Sequence, residues 1–112
     1  METDYIIIGG GSAGCVLANR LSADPKVRVM LVEAGGEDWN PLIHIPAGYK
    51  KTMVNPSINW MFTAKPDDRT GRRSIAMPRG KVIGGSSAIN AMLYVRGQAE
   101  DYDGWEARGN VG

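Results

Sequence analysis

Apolar residues are concentrated in two short runs near the start of the chain. Tyr5-Ile6-Ile7-Ile8 is a largely β-branched run stopped by glycines, which predicts a buried strand over 4–9. From Ser12 to Leu21 the apolar positions Ala13, Val16, Leu17 and Leu21 fall at helical spacing. Ser22-Ala23-Asp24-Pro25 supplies the turn chemistry that closes this helix. Residues 27–33 are again mostly apolar and predict a second strand. Residues 4–33 therefore read as one βαβ unit, with the right-handed crossover that parallel strands joined through a helix nearly always take.

The pattern then loses its period. Gly35-Gly36, Pro41, Pro46, Gly48 and Pro56 punctuate residues 34–59, which read as a long irregular connection. Two short strands are predicted at 60–63 and 74–77, separated by a polar turn over 67–73. A second glycine-rich segment lies within 79–97, and its apolar part, 88–95, fits either helix or strand. A short helix over 100–108 is stopped by Gly109-Asn110. The class is α/β. One βαβ unit cannot cover both faces of a parallel sheet, so the chain reads as the front part of something larger.

Composition adjusts this picture in two places. Glycine makes up 15 of 112 residues, about twice its usual share of ~7%, and most of the excess sits in the two turns and their flanks. The net charge of +1 gives no bulk field to favour nucleic acid or an anionic membrane. Lys50-Lys51 and Arg72-Arg73 read as solvated surface pairs. The single cysteine, Cys15, excludes an internal disulfide and fits a reducing compartment. No secretory segment follows Met1, and no apolar stretch approaches the ~20 residues of a membrane span. A cytoplasmic chain beginning at Met1 is the expectation.

The candidate chemistry lies in the glycines. Gly9-x-Gly11-x-x-Gly14 has dinucleotide spacing. Gly9 allows the tight turn, Gly11 lets backbone approach a pyrophosphate, and Gly14 lets the helix pack close on the strand. The diphosphate would meet free N–H groups and the positive dipole end at the start of the 12–21 helix. Glu33, ending the second strand, is placed to accept from ribose hydroxyls. This motif alone leaves NAD and FAD both open. The second turn is Arg79-Gly80-Lys81-Val82-Ile83-Gly84-Gly85-Ser86-Ser87, followed by Ala88-Ile89-Asn90.

The segment from Gly80 to Asn90, continued by Tyr94, Gly97 and Asp103, resembles the N-terminal signature of the glucose–methanol–choline (GMC) oxidoreductases. The 4–14 turn, Val32-Glu33-Ala34-Gly35-Gly36 and Asp101-Tyr102-Asp103-Gly104-Trp105 fit the same family, so the resemblance spans essentially the whole chain. Within the family the chain is most similar to bacterial alcohol dehydrogenases of the choline dehydrogenase type. The resemblance implies a Rossmann-like βαβ start of an FAD-binding domain, incomplete without the rest of a GMC chain, and a substrate domain that lies outside these residues. It implies that Ser12 and Ala13 meet the pyrophosphate, that Glu33 meets the adenine ribose, that Ala34 binds the cofactor, and that Trp60 and Gly80 line it. Ser86, Asn90, Ala91 and Leu93 would contact it towards the flavin, the last two through backbone. Gly84-Gly85-Ser86 would add backbone donors and a hydroxyl at the far end of one grip, and Arg79 a cation for phosphate. The whole enzyme would oxidise a primary alcohol, a small-molecule substrate, to an aldehyde.

Two departures sharpen the expectation. Some family members attach FAD through a histidine just before the asparagine, whereas Ile89 stands there, so the cofactor should be held non-covalently. The family's catalytic base is a histidine near the C-terminus of a much longer chain, so no catalytic residue is assigned within these 112. His44 reads as a surface or packing residue, Cys15 as a small packing residue, Trp39 and Trp105 as packing residues, and Asp101 and Asp103 as acids near a helix start. Two other readings compete. An NAD-binding dehydrogenase would use only the βαβ fingerprint and leave the 80–90 loop without a role. A non-catalytic fragment would be stable only when docked on the rest of a split chain.

Overall fold

In the computed structural model, which describes residues 2–110, regular structure is densest where the sequence pattern is clearest. β1 (Tyr5–Ile8) runs parallel to β2 (Val29–Val32), with Tyr5 opposite Val29 and Ile8 opposite Val32. They are joined through α1 (Ser12–Leu21), whose ends match the predicted helix. β2 is shorter than predicted because the Val27 N–H returns to the Asp24 carbonyl, so the turn runs on to Val27.

The connection 34–59 departs from its irregular reading. It contains α2 (Pro41–His44), a 3-10 turn at Pro46–Gly48, and α3 (Tyr49–Thr52). Asn40 Oδ1 accepts from Leu42 N at 3.0 Å and Pro41 fills the first turn of α2, a start signal written in the sequence. β3 (Phe62–Ala64) then pairs antiparallel with β4 (Ile75–Met77). Between them a 3-10 turn, Asp68–Thr70, is capped by Asp67.

The 88–95 run is neither helix nor strand. A 3-10 turn covers Gly85–Ala88, and Asn90 then takes over the local backbone, accepting from Met92 N and donating to the Ser87 carbonyl. Leu93 beyond it is 83% exposed. From Met92 to Val95 the apolar side chains are exposed, so packing fixes no secondary structure there. α4 (Ala99–Ala107) closes the described chain one residue earlier than predicted.

The core is small and lies under the second glycine turn. Ile58, Val82 and Ile89 are buried together, with Ile43 and Ala88 packed against them. The two-stranded parallel sheet leaves Ile6 and Ile8 exposed. The total accessible surface is 8995 Å², against about 6,000 Å² for a compact monomer of this mass. The radius of gyration, 18.2 Å, compares with about 13 Å for a compact domain of this length. Much apolar surface therefore faces outward. Among the described residues no helix is long and apolar enough to cross a membrane.

Candidate functional site

The site grows from the end of β1. Gly9 turns the chain with φ +96°, a conformation that a side chain strains. α1 then starts at once, and it packs so tightly that a Cβ on Gly14 would lie 1.9 Å from the Gly9 carbonyl oxygen. The helix start carries no side-chain cap and no acid in its first turn. Its leading N–H groups are therefore left for an external acceptor. A Cβ on Gly11 would meet nothing within 4 Å, so open space lies in front of that turn.

The second turn sits directly on the first. Gly84 N donates to the Gly10 carbonyl at 2.7 Å, and the hydroxyls of Ser12 and Ser87 share a hydrogen bond. Gly85, at φ +57°, has no room for a Cβ, which would stand 2.8 Å from Gly11 Cα. The turns are thus adjacent parts of one floor. They are not separated along a cofactor, as a grip with two ends would require, and only the chain from Ser86 onward leads away.

Glu33 holds this floor from the side. Its carboxylate accepts from Gly10 N at 2.7 Å and Gly35 N at 2.9 Å. Gly35 in turn lies against residue 81, where a Cβ would sit 2.0 Å from the Lys81 carbonyl oxygen. A carboxylate has about four acceptor positions, so two remain for a ligand.

Opposite the floor stands a wall. Trp60 and Phe62 are stacked, ring centroids 5.8 Å apart and 7° from parallel, with Lys81 Nζ 4.9 Å from the centre of the Trp60 ring. Arg79 and Gly80 continue the wall, and the Gly80 N–H donates to Ser86 Oγ at 3.1 Å. Floor and wall enclose a cleft of about 510 Å³. It brings together Gly9, Gly11, Glu33, Ala34, Trp60, Arg79, Gly80, Gly85 and Ser86 of the residues singled out in the sequence. Ser12, Ala13 and Gly14 form the adjoining helix start, and Gly84 braces the floor from behind. Asn90 and Ala91 line a neighbouring cavity of about 310 Å³ that shares Arg79 and Ser86 with the cleft. Leu93 lines neither.

The cleft offers a carboxylate at a strand end, an arginine and aromatic faces, and the adjoining helix start adds uncapped N–H groups. That donor set fits a dinucleotide: N–H groups and guanidinium for phosphate, carboxylate for ribose hydroxyls, rings for a flat heterocycle. Phe62 and Asn59 escaped the sequence reading. Phe62 belongs to a strand too short to show a face. Asn59 is 2% exposed and serves backbone groups from three separate places. His44 lines neither cavity and donates from Nε2 to the Asp38 carbonyl. Cys15 is half-buried behind the first turn, its thiol on the Gly10 carbonyl. Trp39, expected to pack, is 83% exposed. Trp105 is half-exposed and forms a T-shaped pair with Tyr102, ring centroids 5.5 Å apart. Asp101 accepts from Gln98 N at the start of α4, as a first-turn acid should.

Comparison with known proteins agrees with this geometry. A family model described as GMC oxidoreductase matches residues 3–112. An alcohol dehydrogenase [acceptor] of Pseudomonas putida is 58% identical over 106 residues, 95% of this chain and 19% of that protein. An oxygen-dependent choline dehydrogenase of Rhizobium etli is 50% identical over the full 112 residues, 20% of its own length. Among solved structures, pyridoxine 4-oxidase from Mesorbium loti superposes with a TM-score of 0.78 at 42% identity, over 95% of this chain and 21% of that one. Formate oxidase follows with a TM-score of 0.72 at 34% identity, over 93% and 18%. The chain thus spans about a fifth of the length of the curated relatives it matches.

Proposed function

The chain belongs to the GMC oxidoreductase family, and on that premise we propose that it is the N-terminal part of the FAD-binding domain of an alcohol-oxidising flavoenzyme. The observation that carries the reading is the single floor made by the two glycine turns, facing an uncapped helix start. In this reading the N–H groups at Ser12 and Ala13 and the Arg79 guanidinium neutralise the diphosphate. Glu33 accepts from the adenine ribose while it holds Gly10 and Gly35. Trp60, Gly80 and Ser86 border the cofactor, and Asn90, Ala91 and Leu93 lie on the stretch leading towards the flavin. FAD, when bound, supplies the acceptor for the hydride that a primary alcohol gives up in becoming an aldehyde. The chain's own residues bind and orient the cofactor. The base that takes the hydroxyl proton and the substrate pocket belong to the longer protein. The exposed Ile6 and Ile8 support that division, since a parallel sheet is covered on both faces when complete. A cytoplasmic setting is part of the same proposal.

The test uses the full-length protein that carries this chain. It should purify with the absorption bands of oxidised flavin, and acid denaturation should release free FAD, because Ile89 offers no point of attachment. Anaerobic addition of a primary alcohol should bleach the flavin. A colourless protein that binds NAD would overturn the reading. Flavin that stays on the denatured chain would overturn the non-covalent mode alone.

A further inference from the structure

Asn59 is one of two buried polar side chains among the described residues; the other is Thr52. Thr52 serves its own short helix, its hydroxyl donating to the Tyr49 carbonyl. Asn59 does something different. Its Nδ2 donates to the Met53 carbonyl at 2.6 Å, and its Oδ1 accepts from Met61 N at 3.0 Å and Arg79 N at 2.9 Å. The partners fix the orientation of the amide, since a carbonyl can only accept and a backbone N–H can only donate. One carboxamide therefore ties the end of α3, the start of the aromatic wall and the start of the second glycine segment to one another.

The consequence for the cleft follows residue by residue. Trp60 lies between Asn59 and Met61, and Met61 is held at φ +56°, a conformation that non-glycine residues seldom adopt. Trp60 N donates to the Arg79 carbonyl at 2.9 Å, so residues 60 and 79 are joined beside the amide. The next residue, Gly80, donates to Ser86 Oγ and lies so close to the floor that a Cβ would meet the Gly85 carbonyl oxygen at 2.1 Å. The distance between wall and floor is thus set along the line Asn59, Arg79, Gly80, Ser86.

We propose that Asn59 is a positioning residue of the cofactor cleft, its buried carboxamide fixing Trp60 and Arg79 opposite the glycine floor. The inference rests on the FAD reading given above. Substituting Asn59 should therefore change how tightly FAD is held by folded protein, in addition to any loss of stability.

The test compares three forms of the full-length holoenzyme. Asn59→Asp keeps the shape and both acceptor bonds, but as a carboxylate it turns an oxygen on the Met53 carbonyl. It should weaken FAD binding about tenfold or more at neutral pH and alter the flavin absorption envelope. Affinity should recover as the pH falls, because the neutral carboxyl can donate to Met53 as the amide does. Thr52→Val should lower the unfolding midpoint and leave FAD affinity and spectrum unchanged. Amide exchange on the unsubstituted protein needs no variant: the N–H groups of Met61 and Arg79 should both exchange slowly. The proposal is overturned if Asn59→Asp folds and binds FAD with wild-type affinity and spectrum. It is also overturned if either amide exchanges as a free one. A wild-type protein without flavin would instead overturn the function proposed above, and this inference with it.

Discussion

Gly14 and Gly85 are both barred from carrying a side chain, but by different neighbours. At Gly14 the obstacle is the Gly9 carbonyl, part of the same βαβ unit, and regular strand and helix bonds on either side hold it in place. At Gly85 the obstacle is Gly11, on the other turn, and the local structure is only a four-residue 3-10 turn. The second turn owes its position to contacts with distant segments: Gly84 on Gly10, Ile83 on Gly36, Lys81 on Ile58. The first turn is a product of its own secondary structure, and the second is moulded on the first. Damage should therefore spread from the first turn to the second more than the reverse.

The strongest way to break this comparison is Gly14→Val. The first added carbon already overlaps backbone that cannot move without separating α1 from β1. We expect a loss of about 3 kcal/mol, at the upper end for overpacking, with flavin lost as well. Urea denaturation of the full-length protein, followed by flavin absorbance, reads both. Stability within about 1 kcal/mol of the parent would mean that the close packing of α1 on β1 does not shape the turn.

The same contrast decides what the sequence could reveal. The βαβ unit was legible, with the bounds of α1 read correctly, because glycine positions and apolar spacing are local signals and the structure there is local. The second turn was recognisable as a motif, yet its contact with the first was not, since nothing in residues 79–87 says that Gly84 will donate to Gly10. Asn59 and Phe62 were missed for the same reason: their roles exist only once residues 58–62 lie beside 79–81. The short helix α2 is a different case. Asn40-Pro41 is a local start signal, but the surrounding prolines and glycines masked it. The 88–95 run had no legible answer, because Ala88 and Ile89 pack into the core from a 3-10 turn while Met92 to Val95 are exposed, so no one face runs through it to choose between helix and strand.

Gly85→Ala and Gly11→Ala sharpen the comparison as a pair. At Gly85 the methyl meets Gly11 and the residue is left at positive φ, so about 1–3 kcal/mol of strain is expected, together with weaker FAD binding. At Gly11 φ is −77° and the methyl enters open space, leaving a stability cost under about 1 kcal/mol, that of alanine at a helix start. FAD affinity should nonetheless fall about tenfold or more, equivalent to ~1.4 kcal/mol, because the methyl stands where the diphosphate approaches. Denaturation midpoints and FAD titration of the stripped protein separate the two effects. If Gly11→Ala binds FAD as tightly as the parent, the space before that turn is not the phosphate site.

The smallest effect should come from the hydroxyls of Ser12 and Ser87. They join the two turns, but both residues are exposed and water can replace either partner. The backbone bond from Gly84 to Gly10 and the contact of Gly85 with Gly11 remain when the pair is removed. Ser87→Ala should therefore cost less than about 1 kcal/mol. A double-mutant cycle with Ser12→Ala should give a coupling of roughly 0.5 kcal/mol, the lower bound for contacting residues. A coupling of about 1.5 kcal/mol or more would reverse the picture: side chains would then hold the second turn on the first, and the glycines would merely make room for them.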